Sequence, residues 1–173
     1  GHALEADTTQ IIEARGGKVL GSVKTPLNAS DFSSFMLQAQ NSKAQILGLA
    51  NAGGDTINSI KQASEFGINK KQTVVPLLMF ITDVHSLGLN AAQGMYLTEG
   101  FYWDKDDKTR AFAKRFILQH KRMPSMVQAG VYSSVLAYLN AVQKAGTDDT
   151  QAVMKALKST NIDDGLFKGK IRA

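Results

Sequence analysis

Cysteine is absent from the 173-residue chain. Its absence excludes disulfide bonds, thiolate metal sites and a cysteine nucleophile, and it leaves the cellular compartment open. Long apolar runs are also missing. The longest, Val74–Ile81, is far shorter than the roughly 20 residues that a membrane-spanning helix needs. The first residues, GHALEADTTQ, are polar and predict a helix rather than a secretory signal.

The overall composition is that of a soluble globular protein, with 43% hydrophobic and 20% charged residues. The net charge of +5 raises the question of a nucleic-acid partner. However, the basic residues are scattered, and the densest group is only Lys121–Arg122 beside His120. Because a dispersed positive charge is typical of a solvated surface, no nucleic-acid partner is predicted.

Predicted strands alternate with predicted helices through the first part of the chain. Apolar runs predict four strands, at Lys18–Lys24, Ala44–Ala50, Val74–Ile81 and Gly94–Trp103. Pro76 lacks an amide donor, so pairing of the third strand is expected to begin after it. The alternation predicts an α/β fold, a doubly wound parallel sheet with helices on both faces. Because the order opens on a helix without the strand that should feed it, we expect a piece of a longer protein.

After Trp103 the pattern changes to three helices in succession and a short final hairpin or strand. The long middle helix carries Val131, Val135 and Tyr138 in one apolar stripe. Because these helices have no sheet of their own, their apolar face is expected to need a partner outside this segment.

Capping residues predict where several helices begin and end. Ser30 and Thr147 are the expected N-caps of two helices. Gly67 and Gly146 are the expected stops of two others.

The stretch GLANAGGDTINSIKQA, Gly48–Ala63, places two glycines between a strand and a helix. Neither G-x-x-x-x-G-K-[ST] nor G-x-G-x-x-G is present, so no nucleotide site is predicted. Two alternatives remain open. In the first, Gly53 and Gly54 only permit a tight turn, with Asp55 or Thr56 capping the helix. In the second, free amides at the helix start bind a carboxylate or another polar ligand group at the carboxyl edge of the sheet.

A second candidate site is FITDVHSLG, Phe80–Gly88. Thr82 and Asp83 are predicted to end a neighbouring strand and open the next turn, at the same edge as the glycine turn. His85 could act as a base or a metal ligand. The other histidines are distant in sequence and no metal-binding spacing is present, so a surface or capping histidine is favoured.

The stretch DKDDKT, Asp104–Thr109, begins like a calcium-binding loop. Thr109 stands where such a loop has glycine, and Arg115 stands where it has the bidentate glutamate. Acidic residues that favour a helix N-terminus are therefore the preferred interpretation.

Three aromatic residues cluster in EGFYWD, where the predicted sheet gives way to helices. Phe101 is expected in the core. Tyr102 and Trp103 are expected to face a cleft, because each has an apolar body and a polar group. G-x-S-x-G is absent and no catalytic constellation assembles, so no enzyme, cofactor or metal site is predicted.

Taken together, these motifs make the chain resemble the substrate-binding proteins of ABC importers with the type I periplasmic-binding fold. The most similar group is the Leu/Ile/Val-binding and aromatic-acid-binding family. The matching stretches follow the family's order over nearly the whole chain: GHALE, TPLNASDFSSF, GLANAGGDTINSIKQA, FITDVHSLGL, TEGFYWD and MVQAGVYSSVLAYLNAVQKAGTDD.

The resemblance implies two lobes that close on a ligand held between them. Residues 1–102 would form most of the second, Rossmann-like α/β lobe. Residues 103–173 would be a helical segment that returns to the first lobe, whose own sheet is missing here.

The resemblance also assigns ligand contacts to two turns. They are Asn51, Ala52, Gly53 and Gly54 in the first turn, and Thr82 and Asp83 in the second. In amino-acid binders the second turn holds an acid that grips the ligand's ammonium group. Aromatic residues often accompany the glycines of the first turn, whereas Asn51 and Ala52 are smaller. This departure favours a bulkier ligand, such as an aromatic carboxylic acid.

The implied function is capture of a small amino acid-like or aromatic carboxylic acid for an ABC importer. The expected partners are that ligand and a membrane permease, and a homodimer of this chain is a further possibility. The expected location is the periplasm, or the cell exterior with a membrane tether. The alternative is a ligand-sensing domain of a receptor or transcription regulator, which shares the fold.

Overall fold

The computed structural model describes residues 1–171. The chain divides into two compact units, of which the first is Gly1–Thr98 and the second begins at Glu99. This division falls close to the boundary expected after residue 102. The assignment of the two parts to two lobes stays a prediction.

The first unit is an α/β unit with a parallel pair of strands. In chain order its elements are α1 (His2–Ala14), α2 (Ser33–Asn41), β1 (Ile46–Leu49), α3 (Gly54–Glu65), a 3₁₀ turn (Ile68–Lys70), β2 (Thr73–Pro76), α4 (Ile81–Leu87) and α5 (Leu89–Ala92). The two strands pair in parallel, with Ile46 opposite Thr73 and Leu49 opposite Pro76. Because α3 connects them, they form the β–α–β arrangement that the alternating sequence pattern predicts.

Two of the four predicted strands do not form. Residues 18–24 and 94–103 make no ladder in the part of the chain that the structure describes. Leu20, Val23 and Tyr96, three apolar residues of these segments, are 51%, 48% and 73% exposed, although Phe101 near the end of the second segment is buried. An extended segment without a paired neighbour and a buried face has nothing to fix its register, so apolar content alone does not make it a strand.

Pro76 ends the pairing of β2 instead of preceding it, so that prediction was wrong. The amide of Thr73 donates to the carbonyl of Gln45, and the amide of Leu77 donates to the carbonyl of Leu49, each at 2.9 Å. In a parallel ladder alternate residues bond to a given neighbour. Pro76 lies between two bonding positions, so its missing N–H removes no bond to β1.

The core of the first unit lies between the two strands and α2 and α3. Its buried residues are Phe32, Met36, Leu49, Ile60, Ala63, Ile68, Val74 and Met79. Gly67, with φ of 66°, ends the α3 region as predicted. The predicted cap at Ser30 was wrong: α2 begins at Ser33, whose amide donates to the carboxylate of Asp31 at 2.8 Å.

The second unit contains the predicted three helices and hairpin. They are α6 (Asp107–His120), α7 (Met126–Ala145), α8 (Thr150–Lys158) and the antiparallel strands β3 (Asn161–Asp163) and β4 (Lys168–Lys170). Gly146 closes α7 in the left-handed conformation, as predicted. The predicted cap Thr147 was wrong, because the Asp149 carboxylate accepts the Ala152 amide at 3.0 Å while the Thr147 hydroxyl accepts the Asp149 amide.

An apolar stripe on α7 remains exposed. Val131, Val135 and Tyr138 are 59%, 52% and 48% exposed, whereas the small residues Ala129 and Ala141 are buried. The stripe is the one that the sequence analysis leaves without a partner in its own segment. Among the helices of residues 1–171, none is long and apolar enough to cross a membrane.

Candidate ligand-binding site

The turn after β1 presents unpaired backbone amides at the start of α3. Gly53 is the N-cap, and no side chain caps the helix. The first amide of α3 with a backbone acceptor is that of Ile57, which donates to the Gly53 carbonyl at 3.0 Å. Within residues 1–171, the amides of Gly54, Asp55 and Thr56 have no hydrogen-bond acceptor. These donors and the positive end of the helix dipole favour an anionic group.

The side chains predicted to cap α3 bond elsewhere, so the capping part of the first alternative was wrong, whereas its interpretation that the glycines only permit a tight turn stays a prediction. The carboxylate of Asp55 accepts the amide of Asn28 at 3.0 Å. The hydroxyl of Thr56 donates to Oδ1 of Asn51 at 2.9 Å. Both residues are buried, at 9% and 0% exposed. The helix therefore keeps its first amides available.

Asn51 holds the turn onto α3. Its Nδ2 donates to the hydroxyl of Ser59 at 3.0 Å while its Oδ1 accepts from Thr56. Ser59 is 1% exposed, so each bond satisfies a buried hydroxyl. Ala52 and Gly54 are exposed, and a Cβ added at Gly54 would meet no atom within 4 Å. The side chain of Asn51 thus holds the turn against α3, while Ala52 and Gly54 leave its outer side exposed.

Thr82 and Asp83 lie in the first turn of α4, several residues after β2 has ended, so the prediction that they end a strand was wrong. Asp83 is buried, and its carboxylate accepts the amide of Phe80 at 2.9 Å. Thr82 is exposed. The carboxylate of Asp83 therefore caps α4, and a role in gripping an ammonium group stays a prediction.

The two candidate turns nevertheless lie at one edge of the sheet. Because β1 and β2 run parallel and side by side, their carboxyl ends meet at the same edge. α3 follows β1, α4 follows β2, and the two helices pack against each other. The sequence prediction of adjacent turns is consistent with this topology.

The aromatic cluster lies in the second unit. Phe101 is 2% exposed and packs edge-on against Phe112, with ring centroids 5.8 Å apart, as its expected core role requires. Trp103 is half-buried and packs against the same cluster, whereas Tyr102 is 45% exposed. Contact of Tyr102 and Trp103 with a ligand stays a prediction.

The remaining motifs follow their simpler interpretations. His85 is exposed on α4. Asp106 caps α6: its carboxylate accepts the Thr109 amide at 2.9 Å, and this bond lowers the pKa of the Asp106 carboxyl. In residues 1–171, no group of three His, Cys, Asp or Glu side chains could hold a metal ion.

The link between Asn28 and Asp55 has no signal in the sequence. An aspartate in the first turn of a helix is usually read as favourable to the dipole, and nothing in the sequence pairs it with an amide 27 residues earlier. Only the folded chain brings these residues together.

The first unit has an α/β fold with a parallel pair of strands, and comparison with known proteins shows the family to which the chain belongs. The family described as "Periplasmic binding protein" matches residues 1–173. The chain belongs to this family. A comparison with curated proteins found no significant match.

Solved structures of periplasmic binding proteins also resemble this chain. A periplasmic binding protein from Burkholderia mallei is 58% identical, with a TM-score of 0.96 over 99% of this chain and 46% of that one. A branched chain amino acid ABC transporter periplasmic ligand-binding protein from Burkholderia xenovorans LB400 is 43% identical, with a TM-score of 0.82 over 96% of this chain and 45% of that one.

A more distant solute-binding protein of an ABC transporter, from Rhodopseudomonas palustris HaA2, was solved with p-hydroxybenzoic acid. It is 20% identical, with a TM-score of 0.81 over 96% of this chain and 47% of that one, and it shows the shared fold alone. The chain thus spans less than half the length of each of these structures.

Proposed function

We propose that this chain is part of the solute-binding component of an ABC importer, and that it captures a small carboxylic acid at the turn after β1. The observation that carries the proposal is the set of three unpaired amides, Gly54 to Thr56, at the carboxyl edge of the sheet. Such amides bind a carboxylate without any basic side chain. Its membership of the periplasmic binding protein family supports a transport role rather than an enzymatic one.

In this proposal the ligand lies between two lobes and is held fully only when they close. Binding shifts the population toward the closed form, which a membrane permease recognises. The protein would act in the periplasm, or outside the cell on a membrane tether. The small residues of the first turn, Asn51 and Ala52, favour an aromatic acid over leucine.

The test is an NMR titration of the ¹⁵N-labelled chain with 4-hydroxybenzoate, L-leucine and 4-hydroxybenzamide. The last compound keeps the aromatic ring and lacks the negative charge. We expect 4-hydroxybenzoate to shift the amide signals of residues 53–56, and the uncharged amide to leave them unchanged. Binding should be weak, with a Kd above about 100 µM, because one turn supplies only part of a two-lobed site.

Two results would contradict the proposal. One is equal shifts with 4-hydroxybenzoate and 4-hydroxybenzamide, which would show that the negative charge of the ligand does not contribute to binding. The other is an absence of shifts at residues 53–56 with both acids at millimolar concentration.

A further inference from the structure

The loop of residues 25–31, here called the Asn28 loop, is fastened to α3 at two points. The Asn28 amide donates to the Asp55 carboxylate at 3.0 Å. Farther along α3, Nε2 of Gln62 donates to the Ser30 carbonyl at 3.1 Å, and its Oε1 accepts the Phe32 amide at 2.7 Å. The first fastening is at the helical turn whose amides are unpaired. The Asn28 loop therefore lies next to the proposed carboxylate site.

The backbone of the Asn28 loop is held in an uncommon conformation. Asn28 has φ of 57°, which few residues other than glycine adopt and which asparagine tolerates better than most. Such a conformation persists when surrounding bonds determine it, and the buried Asp55 carboxylate provides one. Asp55 thereby fixes the position of the residue that precedes Asn28.

That preceding residue is Leu27, and its side chain is 88% exposed. An aliphatic side chain on a fastened loop, one residue from the bond to Asp55, offers apolar surface close to the unpaired amides. A carboxylic acid bound at those amides carries an apolar body that needs such surface.

We propose that the Asn28 loop is a second wall of the ligand site, with Leu27 contacting the apolar part of the ligand and Asp55 acting as the positioning residue. This inference rests on the proposed function, because it takes the ligand carboxylate to be at residues 54–56. It adds a selectivity element that neither the glycine turn nor the turn at Thr82 and Asp83 supplies.

The role of Leu27 is tested by comparing Leu27→Ala with Leu89→Ala in the 4-hydroxybenzoate titration. Leu89, on α5 of the same unit, is 80% exposed, so both variants remove an exposed leucine and neither disturbs the core. We expect the titration of the unchanged chain to shift the amides of residues 27–29 together with those of residues 53–56. Leu27→Ala should raise the Kd by about fivefold, and Leu89→Ala should leave it unchanged.

The role of Asp55 is tested by two substitutions. Asp55→Ala removes both the charge and the acceptor for the Asn28 amide, so the signals of residues 27–29 should change in the free protein and the Kd should be higher than that of Asp55→Asn. Asp55→Asn keeps an acceptor and removes a negative charge near the ligand carboxylate, so it should lower the Kd by about two- to fivefold. An Asp55→Asn variant that weakens binding as much as Asp55→Ala would overturn the positioning role.

The two proposals fail in different ways. If residues 53–56 respond to 4-hydroxybenzoate while residues 27–29 do not, and Leu27→Ala binds as the unchanged chain does, the second wall is refuted and the proposed function stands. If no amide of either group responds, both proposals fail.

Discussion

Gly53 and Gly54 are neighbours in the proposed site, but different physical constraints act on them. Gly53 has φ of 58° and ψ of −132°, a region that residues with a Cβ rarely adopt. Gly54 starts α3 without a positive φ, and the space where its Cβ would lie is open. The backbone conformation thus requires glycine at position 53, whereas position 54 can hold a residue with a Cβ without backbone strain.

This difference predicts opposite effects of two alanine substitutions. Gly53→Ala should lower the free energy of unfolding by about 1–3 kcal/mol, because it forces a strained backbone. Gly54→Ala should leave that free energy unchanged or raise it by up to about 1 kcal/mol, because alanine loses less conformational entropy in a helix. Urea denaturation followed by circular dichroism measures both values. Equal destabilisation by the two variants would contradict the assignment of φ to Gly53.

The polar residues of the site show how far residue-level prediction from sequence reaches. The glycine turn and its place at the end of a strand could be predicted, because strand, glycine pair and helix occur in that order along the chain. The hydrogen-bond partners of Asn51 and Asp55 could not be predicted from the sequence. Asp55 or Thr56 was expected to cap α3, and the bonds that these two residues make instead depend on where Asn28 and Asn51 lie in the folded chain.

At the level of elements, apolar periodicity predicted the helices better than the strands. α3 and α7 carry long apolar repeats and gain their hydrogen bonds within the element. The segment 18–24 has strand-like composition but no ladder among residues 1–171, because a strand depends on a neighbour that its own sequence does not specify. Pro76, which the sequence pattern placed outside the ladder, is tolerated at the end of β2 because it lies between two residues that bond to β1.

The N-terminus of α6 offers a pH-dependent test at this scale. The hydrogen bond from the Thr109 amide lowers the pKa of the Asp106 carboxyl below its unfolded value. A carboxyl group with a lowered pKa stabilises the fold at pH above its unfolded pKa and loses this effect as the pH falls through its folded pKa. The contribution of Asp106 should therefore be complete near neutral pH and be lost as the pH falls through the folded pKa of this carboxyl group.

Asp106→Asn is the matched variant, because asparagine is a comparable N-cap whose acceptor is uncharged at every pH. At pH 7 the original chain should have a Tm at least equal to that of Asp106→Asn, and its Tm should fall relative to that of the variant as the pH is lowered until the carboxyl group is protonated. Asp106→Ala should have a lower Tm than both at pH 7. Thermal unfolding at several pH values gives the comparison, and parallel pH profiles for all three proteins would contradict a stabilising carboxylate.

At the scale of the whole molecule, the chain is shorter than the proteins it resembles and bears an unusual surface. It spans less than half the length of each of the structures compared. The α7 stripe of Val131, Val135 and Tyr138 is about half exposed along its length. Exposed apolar residues in a row, unlike single ones, favour association with another apolar surface.

We therefore expect the isolated chain to self-associate through α7. Val131→Ser combined with Val135→Ser should lower the apparent mass toward that of a monomer, because it removes apolar surface and adds two hydroxyl groups. The control is Asn140→Ser combined with Gln143→Ser, which changes two exposed residues on another face of the same helix. Light scattering after size exclusion, over a range of protein concentrations, measures the mass. A chain that stays monomeric at every concentration, or a control that dissociates it equally, would show that the stripe does not drive association.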